Sequence, residues 1–336
     1  MRRTFTTHRF LAILAFVISL AGCSPLIVGP GAAVTPPRLN DADMIMSDGA
    51  RLPLRQWAPK SGPARAVILA LHGFNDYSNF FDMPGRFLAQ EYNIISYAYD
   101  QRGFGRAPRP GTWAGVNAYA QDARTAIAML QLRHPGLPLY LLGESMGGAV
   151  ALVTMSSSPP PNVAGTILSA PAVWGRATMP WYQRLALWIG AHTVPQVTLT
   201  GKGLHIVPSD NTDMLIRLGR DPLILKETRI GTLFGLVNLM DAGLKSAPRF
   251  RSRALIMYGL KDEVVPATPI KSLLRNLPAS GRDSRKIAIY DNGYHMLLRD
   301  LQRKTVWRDV AAWITRPSNA LPSRADLRYQ TFRDNP

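Results

Sequence analysis

Short, nearly continuous apolar runs punctuate the chain. Residues 66–71, 93–99, 139–142, 163–169, 254–258 and 286–290 each read as a strand. Runs of this kind belong to strands covered on both faces. Stretches of helical period lie between them. In Val116–His134, the residues Tyr119, Ala123, Ala126 and Leu130 recur at helical spacing, with Gly136 and Pro138 as stops. Phe80–Glu91, Pro266–Leu277 and Arg299–Ile314 are further expected helices, the first with Pro84 close to its start. Ahead of them, Met44–Ser47 and Arg51–Trp57 are split by Asp48-Gly49 and predict an opening hairpin. Alternation of strand and helix predicts a doubly wound, mostly parallel sheet.

The alternation breaks between Pro171 and Pro248. Trp174, Met179, Trp181, Tyr182, Leu185, Leu187, Trp188 and Ile189 crowd together there, followed by a loop punctuated by Gly, Thr and Pro and then by Thr232–Leu244. This predicts a helical cap over residues 173–248, inserted into a core of 42–172 and 249–314. The bland alternative is a pair of ordinary packing helices. Trp174, Trp181 and Trp188 are the expected substrate-binding residues of the cap, because so much apolar surface on a short insertion usually marks a ligand or membrane site.

The two ends stand outside this pattern. Arg2, Arg3 and Arg9 precede an apolar stretch, Phe10–Leu20, too short to span a bilayer. Leu20-Ala21-Gly22-Cys23 closes it and resembles the lipobox of a bacterial lipoprotein signal peptide, which makes 1–22 a leader and Cys23 the lipidated residue. Cys23 is the only cysteine, so no intramolecular disulfide can form. Ser24 follows it, which by resemblance to enterobacterial sorting rules favours the outer membrane, facing the periplasm. Residues 23–41 are rich in Gly, Pro and Ala and read as a tether. Residues 315–336 lack periodicity and are expected as a basic, surface-hugging or disordered tail.

Composition narrows the class. A 336-residue chain with 46% hydrophobic residues suffices for one large α/β domain with an insertion. Net charge is +17, and the three leader arginines account for three of those charges. Such basicity favours anionic lipid or polyanions. No Lys/Arg run interleaved with aromatics occurs, so nucleic acid is not an expected partner. The scattered histidines and single cysteine predict no metal site. Gly103-Phe104-Gly105 lacks the full dinucleotide pattern, and no cofactor is expected.

Candidate chemistry centres on Leu139–Leu152, a buried strand, a glycine-flanked turn and a helix. Gly143-Glu144-Ser145-Met146-Gly147 fits the G-x-S-x-G nucleophile elbow in the strand-turn-helix context that the motif requires. A serine hydroxyl needs a base within hydrogen-bond reach. Of six histidines, only His295 follows the last strand, where the chain returns to the top of the sheet. An acid must fix the imidazole tautomer. Asp262 follows a strand, with Glu263 beside it and Asp291 near the base in sequence as rivals; adjacent residues usually point apart, and Asp262 is preferred. The order is then Ser145, Asp262, His295. The N–H groups of Met146 and Phe74 are the expected oxyanion donors, and His72 is expected to brace the loop.

Together, His72-Gly73-Phe74, Asp100-Gln101-Arg102-Gly103-Phe104-Gly105, Gly143-Glu144-Ser145-Met146-Gly147-Gly148, the Asp262 stretch and Gly293-Tyr294-His295 resemble the monoacylglycerol lipase / lysophospholipase branch of the α/β-hydrolases, of serine aminopeptidase S33 type. The likeness runs from about Ala42 to Ile314. It implies an α/β-hydrolase fold, a triad of Ser145, Asp262 and His295, an oxyanion hole at Phe74 and Met146, and a helical cap over an apolar acyl tunnel. One departure is Glu144, where many members have histidine; it is expected not to touch the triad. The expected function is a lipid-anchored serine hydrolase of lipophilic carboxylic esters acting through an acyl-enzyme. General small-ester hydrolysis, acyl transfer and a non-catalytic envelope binding protein are the alternatives.

Overall fold

The computed structural model describes residues 25–281 and 284–334; the leader and Cys23 lie outside the described residues. Its strands are β1 (Arg38–Leu39), β2 (Asp43–Ile45), β3 (Arg51–Trp57), β4 (Ala66–Leu71), β5 (Ile94–Tyr99), β6 (Leu139–Glu144), β7 (Gly165–Ser169), β8 (Thr198–Thr200), β9 (Glu227–Arg229), β10 (Ala254–Gly259) and β11 (Arg285–Tyr290). The helices are α1 (Asp82–Tyr92), α2 (Val116–Arg133), α3 (Met146–Met155), α4 (Trp181–Thr193), α5 (Thr212–Arg220), α6 (Ile230–Ser246), α7 (Ala267–Asn276), α8 (Arg303–Thr315) and α9 (Tyr329–Asp334). Nine strands form one sheet in the order β1-β2-β3-β5-β4-β6-β7-β10-β11. From β5 to β11 every pairing is parallel, while β1, β2 and β3 pair antiparallel at one edge.

The apolar runs are buried because both faces of the sheet are covered. Along β4, Val67, Leu69 and Leu71 join one core, and Ala66, Ile68 and Ala70 join the other, with the two-residue period of a strand. Helices α2, α3 and α7 cover the first face, and α1 and α8 the second. Helix α1 starts at Asp82 after a 3₁₀ turn, Ser78–Phe81, so Pro84 falls in its first turn, where a missing N–H costs nothing.

Three features depart from the expected pattern. The inserted segment contains a two-stranded antiparallel ribbon, β8 with β9, besides its helices. Its last helix, α6, lies against α3, close enough for a Cβ on Gly243 to stand 3.5 Å from Ala149 Cα. That helix is ordinary core packing; α4 is not, since Ala191 is its sole buried residue. The third departure is the tail. Residues 315–334 are ordered, with a 3₁₀ turn at Ala325–Arg328 and α9 beyond it. Leu321, Ala325 and Phe332 are buried, and the Phe332 ring stands 5.5 Å from that of Tyr258. Apolar contacts at these positions fix a segment whose composition suggested none. The described part of the tether is also held, through Ile27, which bridges Trp113, and through β1.

A buried cation ties the hairpin to the core. Arg102 donates to Asp48 (2.7 and 2.9 Å) and to Asp122 (2.7 and 3.1 Å). The Arg102 hydrogen bond holds Asp48 below the usual carboxylate range, whereas burial raises Asp122 despite the same partner. Removing one member of such a cluster strands a buried charge. Arg102→Met should destabilise the protein by about 3–5 kcal/mol in urea denaturation; a loss below about 1 kcal/mol would show that the cluster does not hold the hairpin.

Candidate active site

Strand β6 and helix α3 meet at Ser145, whose backbone has φ +50° and ψ −114°. Positive φ is strained for a residue with a Cβ and costs about 1–3 kcal/mol. The surrounding close packing maintains it. A Cβ on Gly143 would stand 2.3 Å from the Gly147 carbonyl oxygen, and one on Gly147 would stand 2.1 Å from that of Leu71. Ser145 N–H donates to the Ser169 carbonyl at 2.9 Å, and Ala172 N–H donates to the Ser145 carbonyl at 2.9 Å. The turn is thus pinned on both sides, with Ser145 only 9% exposed.

The structure brings His295 and Asp262 to this serine. His295 Nε2 lies 2.9 Å from Ser145 Oγ, and His295 Nδ1 lies 2.8 Å from Asp262 Oδ2. Nδ1–H therefore donates to the carboxylate, which leaves the Nε2 lone pair facing the serine hydroxyl. Asp262 Oδ1 accepts the N–H groups of Val264 and Val265, both at 2.8 Å, and so cannot swing away. Burial alone would push His295 below its ordinary pKa; Asp262, with Glu144 and Asp300 behind it, more than offsets this and raises it. The rival acids are occupied elsewhere. Glu263 accepts Val207 N–H of the cap at 2.8 Å, and Asp291 pairs with Arg328 at 2.7 Å on the surface.

Phe74 and Met146 supply peptide N–H groups on either side of Ser145. Neither N–H has an acceptor among the described residues. Met146 opens α3, where no intrahelical acceptor exists. A Cβ on Gly73 would stand 3.4 Å from Ser145 Cβ, which places the Phe74 loop against the nucleophile. His72 braces that loop: Nδ1–H donates to the Gly73 carbonyl at 2.8 Å, and Nε2 accepts Gln101 N–H at 2.9 Å. Burial lowers its pKa, and both nitrogens are used, so it stays neutral and fixed. Phe104 packs edge-on against His72 (5.8 Å) and Phe74 (5.5 Å). The Asp100–Gly105 loop is thus a buttress of the oxyanion loop, a role its glycine pattern alone did not reveal.

The cap is stitched to both catalytic loops. Leu225 N–H donates to the Asn75 carbonyl (3.0 Å), and Asn75 Nδ2 to Thr228 Oγ1 (2.7 Å), beside the oxyanion loop. On the other side, Ser209 Oγ donates to Asp300 Oδ1 at 2.7 Å, while Asp300 Oδ2 accepts Tyr294 N–H at 2.8 Å. Asn211 caps α5 and donates to the Arg299 carbonyl at 2.8 Å. Of the cap tryptophans, Trp174 packs against the core, but Trp181 and Trp188 are 71% and 52% exposed. These two form an open apolar face and not the wall of an enclosed tunnel. Among the described residues no group of three His, Cys, Asp or Glu side chains is placed to hold a metal ion.

Residues 62–302 match the family described as serine aminopeptidase, S33. Human monoglyceride lipase is 26% identical over 278 residues, covering 81% of this chain and 89% of the relative. The monoacylglycerol lipase of Mycolicibacterium smegmatis is 25% identical over 275 residues, covering 79% and 93%. Among solved structures, a soluble variant of Saccharomyces cerevisiae monoglyceride lipase in complex with a substrate analog superposes with a TM-score of 0.65 at 19% identity, covering 88% of this chain and 99% of that one. A lipase in its open form reaches 0.68 at 17% identity, covering 83% and 99%. These likenesses show the α/β-hydrolase fold.

The hydrogen-bonded row predicts its own mutational signature. Ser145→Ala, His295→Ala and Asp262→Asn should each lower kcat on an ester by about 10⁴-fold, and the double variants should be no worse than the singles. Asp291→Asn should leave the rate unchanged. Loss of activity in Asp291→Asn with retention in Asp262→Asn would reverse the acid assignment.

Proposed function

The chain belongs to the serine aminopeptidase S33 family, and from that premise we propose that it is a lipid-anchored hydrolase of single-chain lipophilic esters, monoacylglycerols or lysophospholipids, taken from a membrane surface. The observation that carries the reading is the row Ser145–His295–Asp262, assembled with bonds of 2.9 and 2.8 Å beside two free peptide donors. Ser145 Oγ attacks the ester carbonyl while His295 Nε2 takes its proton. The tetrahedral oxyanion is held by the N–H groups of Phe74 and Met146, each such donor contributing about 3–4 kcal/mol in the transition state. His295 then protonates the leaving alcohol. Water, deprotonated by the same nitrogen, releases the acid from the acyl-enzyme.

The substrate class is supported by the cap and by the likeness to monoglyceride lipases. Trp181, Tyr182, Leu185, Trp188 and Ile189 are exposed and lie on one face of α4, at the i, i+1, i+4, i+7, i+8 spacing. Leu204, Ile206 and Val207 extend the exposed apolar surface of the cap. Arg184, Lys202, Arg217 and Arg220 are exposed on the same insertion and suit an anionic bilayer. No described helix is long and apolar enough to cross a membrane. Acyl chains on Cys23 supply the anchor in this reading, with outer-membrane placement facing the periplasm.

Two experiments test it. In a p-nitrophenyl ester series, kcat/KM should rise from acetyl to octanoyl, since each buried methylene contributes about 0.8 kcal/mol, and a monoacylglycerol or a lysophospholipid should be cleaved. A preference for acetyl with neither lipid cleaved would make the protein a small-ester esterase. In cell fractionation the wild type should remain with membranes until detergent is added, and Cys23→Ala should be soluble or unprocessed; release of the wild type without detergent would remove the anchor.

A further inference from the structure

Strand β6 ends on Glu144, immediately before the nucleophile, and its carboxyl lies inside the site. Glu144 Oε1 is 3.8 Å from His295 Nε2, the same nitrogen that faces Ser145 Oγ. This corrects the expectation that the residue stays clear of the triad. The carboxyl occupies the space left by Gly73, where a Cβ would stand 2.3 Å from Glu144 Oε2. Glu144 is 2% exposed, and the polar contact of its carboxyl is the 3.8 Å approach to His295. Asp262, by contrast, accepts three donors. A buried carboxylate without donors is costly unless a cation stands beside it. The nearest such cation exists only when His295 is protonated.

We propose that Glu144 is a positioning residue acting through His295, a second carboxyl whose negative charge stabilises the imidazolium formed each time Ser145 attacks. This rests on the hydrolase reading above. The proton of Ser145 Oγ passes to His295 Nε2 and from there to the leaving group; Glu144 takes no proton in the cycle and supplies charge alone. Asp262 holds Nδ1 from the opposite side, so the ring lies between two carboxyls with different duties. One orients the tautomer, and the other faces the nitrogen on which the proton travels.

Burial raises the Glu144 pKa to about 7, against the pull of His295 and Arg299 and with the push of Asp76 and Asp262. The charged groups facing the pair are Asp262 after β10, Asp76 after β4, and Arg299 and Asp300 beyond the base. His72 is packed nearby, neutral and hydrogen-bonded at both nitrogens. The Glu144→Gln substitution alters none of these. Full basicity of His295 then needs Glu144 ionised, and the acid limb of kcat/KM belongs to the pair as a unit.

The test is the pH dependence of p-nitrophenyl butyrate hydrolysis by the full chain and its Glu144→Gln and Glu144→Asp variants. Glu144→Gln should move the acid limb of kcat/KM to lower pH by about one unit and reduce it to a single ionisation. Its plateau kcat should fall about tenfold with KM little changed, because the lost interaction is made in the transition state. Glu144→Asp keeps the charge and should recover part of both effects. A uniform loss at every pH, with the limb in place, would reduce Glu144 to a packing residue and overturn the proposal. Should Glu144→Gln fail to fold, the wild type decides: the downfield Nδ1–H proton resonance of His295 should show two inflections on titration, and a single inflection overturns the coupling. That readout needs no turnover, so a wild type that cleaves no ester would end the hydrolase reading without touching the Glu144–His295 result.

Discussion

The site depends on one close approach of backbone to backbone. Where β4 and β6 end side by side, the chain turns into α3 with Gly147 pressed on the Leu71 carbonyl and Gly143 pressed on Gly147. No side chain fits in either gap. That contact forces Ser145 into a positive φ and lifts its hydroxyl off the sheet. It also sets the distance from α3 to the loop after β4, so the N–H groups of Met146 and Phe74 owe their placement to the same crossing. The base and acid come from the other side of the sheet top, where β10 and β11 end. There Gly259 approaches Gly293 so closely that a Cβ would stand 2.3 Å from its carbonyl oxygen. Two glycine crossings, one on each side, hold Ser145, His295 and Asp262 within hydrogen-bond reach.

Around that frame the polar interior is arranged as bracing. His72 and Gln101 lock the oxyanion loop to the loop after β5. Asp100 accepts the N–H groups of Ser78 and Arg106, which ties the same loop to the start of α1. Arg102 reaches back to the hairpin. Each makes buried hydrogen bonds, with Gln101 Oε1 alone of these atoms left without a partner among the described residues. Tight bracing of this kind keeps the backbone N–H groups of the loop in one orientation.

How much of this was legible follows from what each signal encodes. The buried strands and the elbow were readable because burial on both faces leaves an unbroken apolar run, and a strained turn leaves glycines at fixed offsets. Chain order and strand ends were enough to place His295 and Asp262. The β8–β9 ribbon was not readable: it joins three exposed residues to three others 27 or more positions away, with no apolar alternation. The tail hid its order because Leu321, Ala325 and Phe332 are few apolar residues among Pro, Arg and Asp, and their burial comes from β10 and β11. Glu144 was misplaced because alternation along a strand gives a face, whereas its contact with His295 depends on Gly73 being empty. The apolar surface of Trp181 and Trp188 was legible but its form was not, because an apolar helix face reads the same whether it lines a tunnel or stays open.

Asp300 has one oxygen on the cap and the other on the peptide beside His295. Through it the segment Pro208–Asn211 and the base loop share a rigid joint, reinforced where Met296 N–H donates to the Pro208 carbonyl. The cap therefore behaves as a ligand of its own active site. A displacement of the cap that moves Ser209 is transmitted through Asp300 to the Tyr294 peptide, one residue before the base.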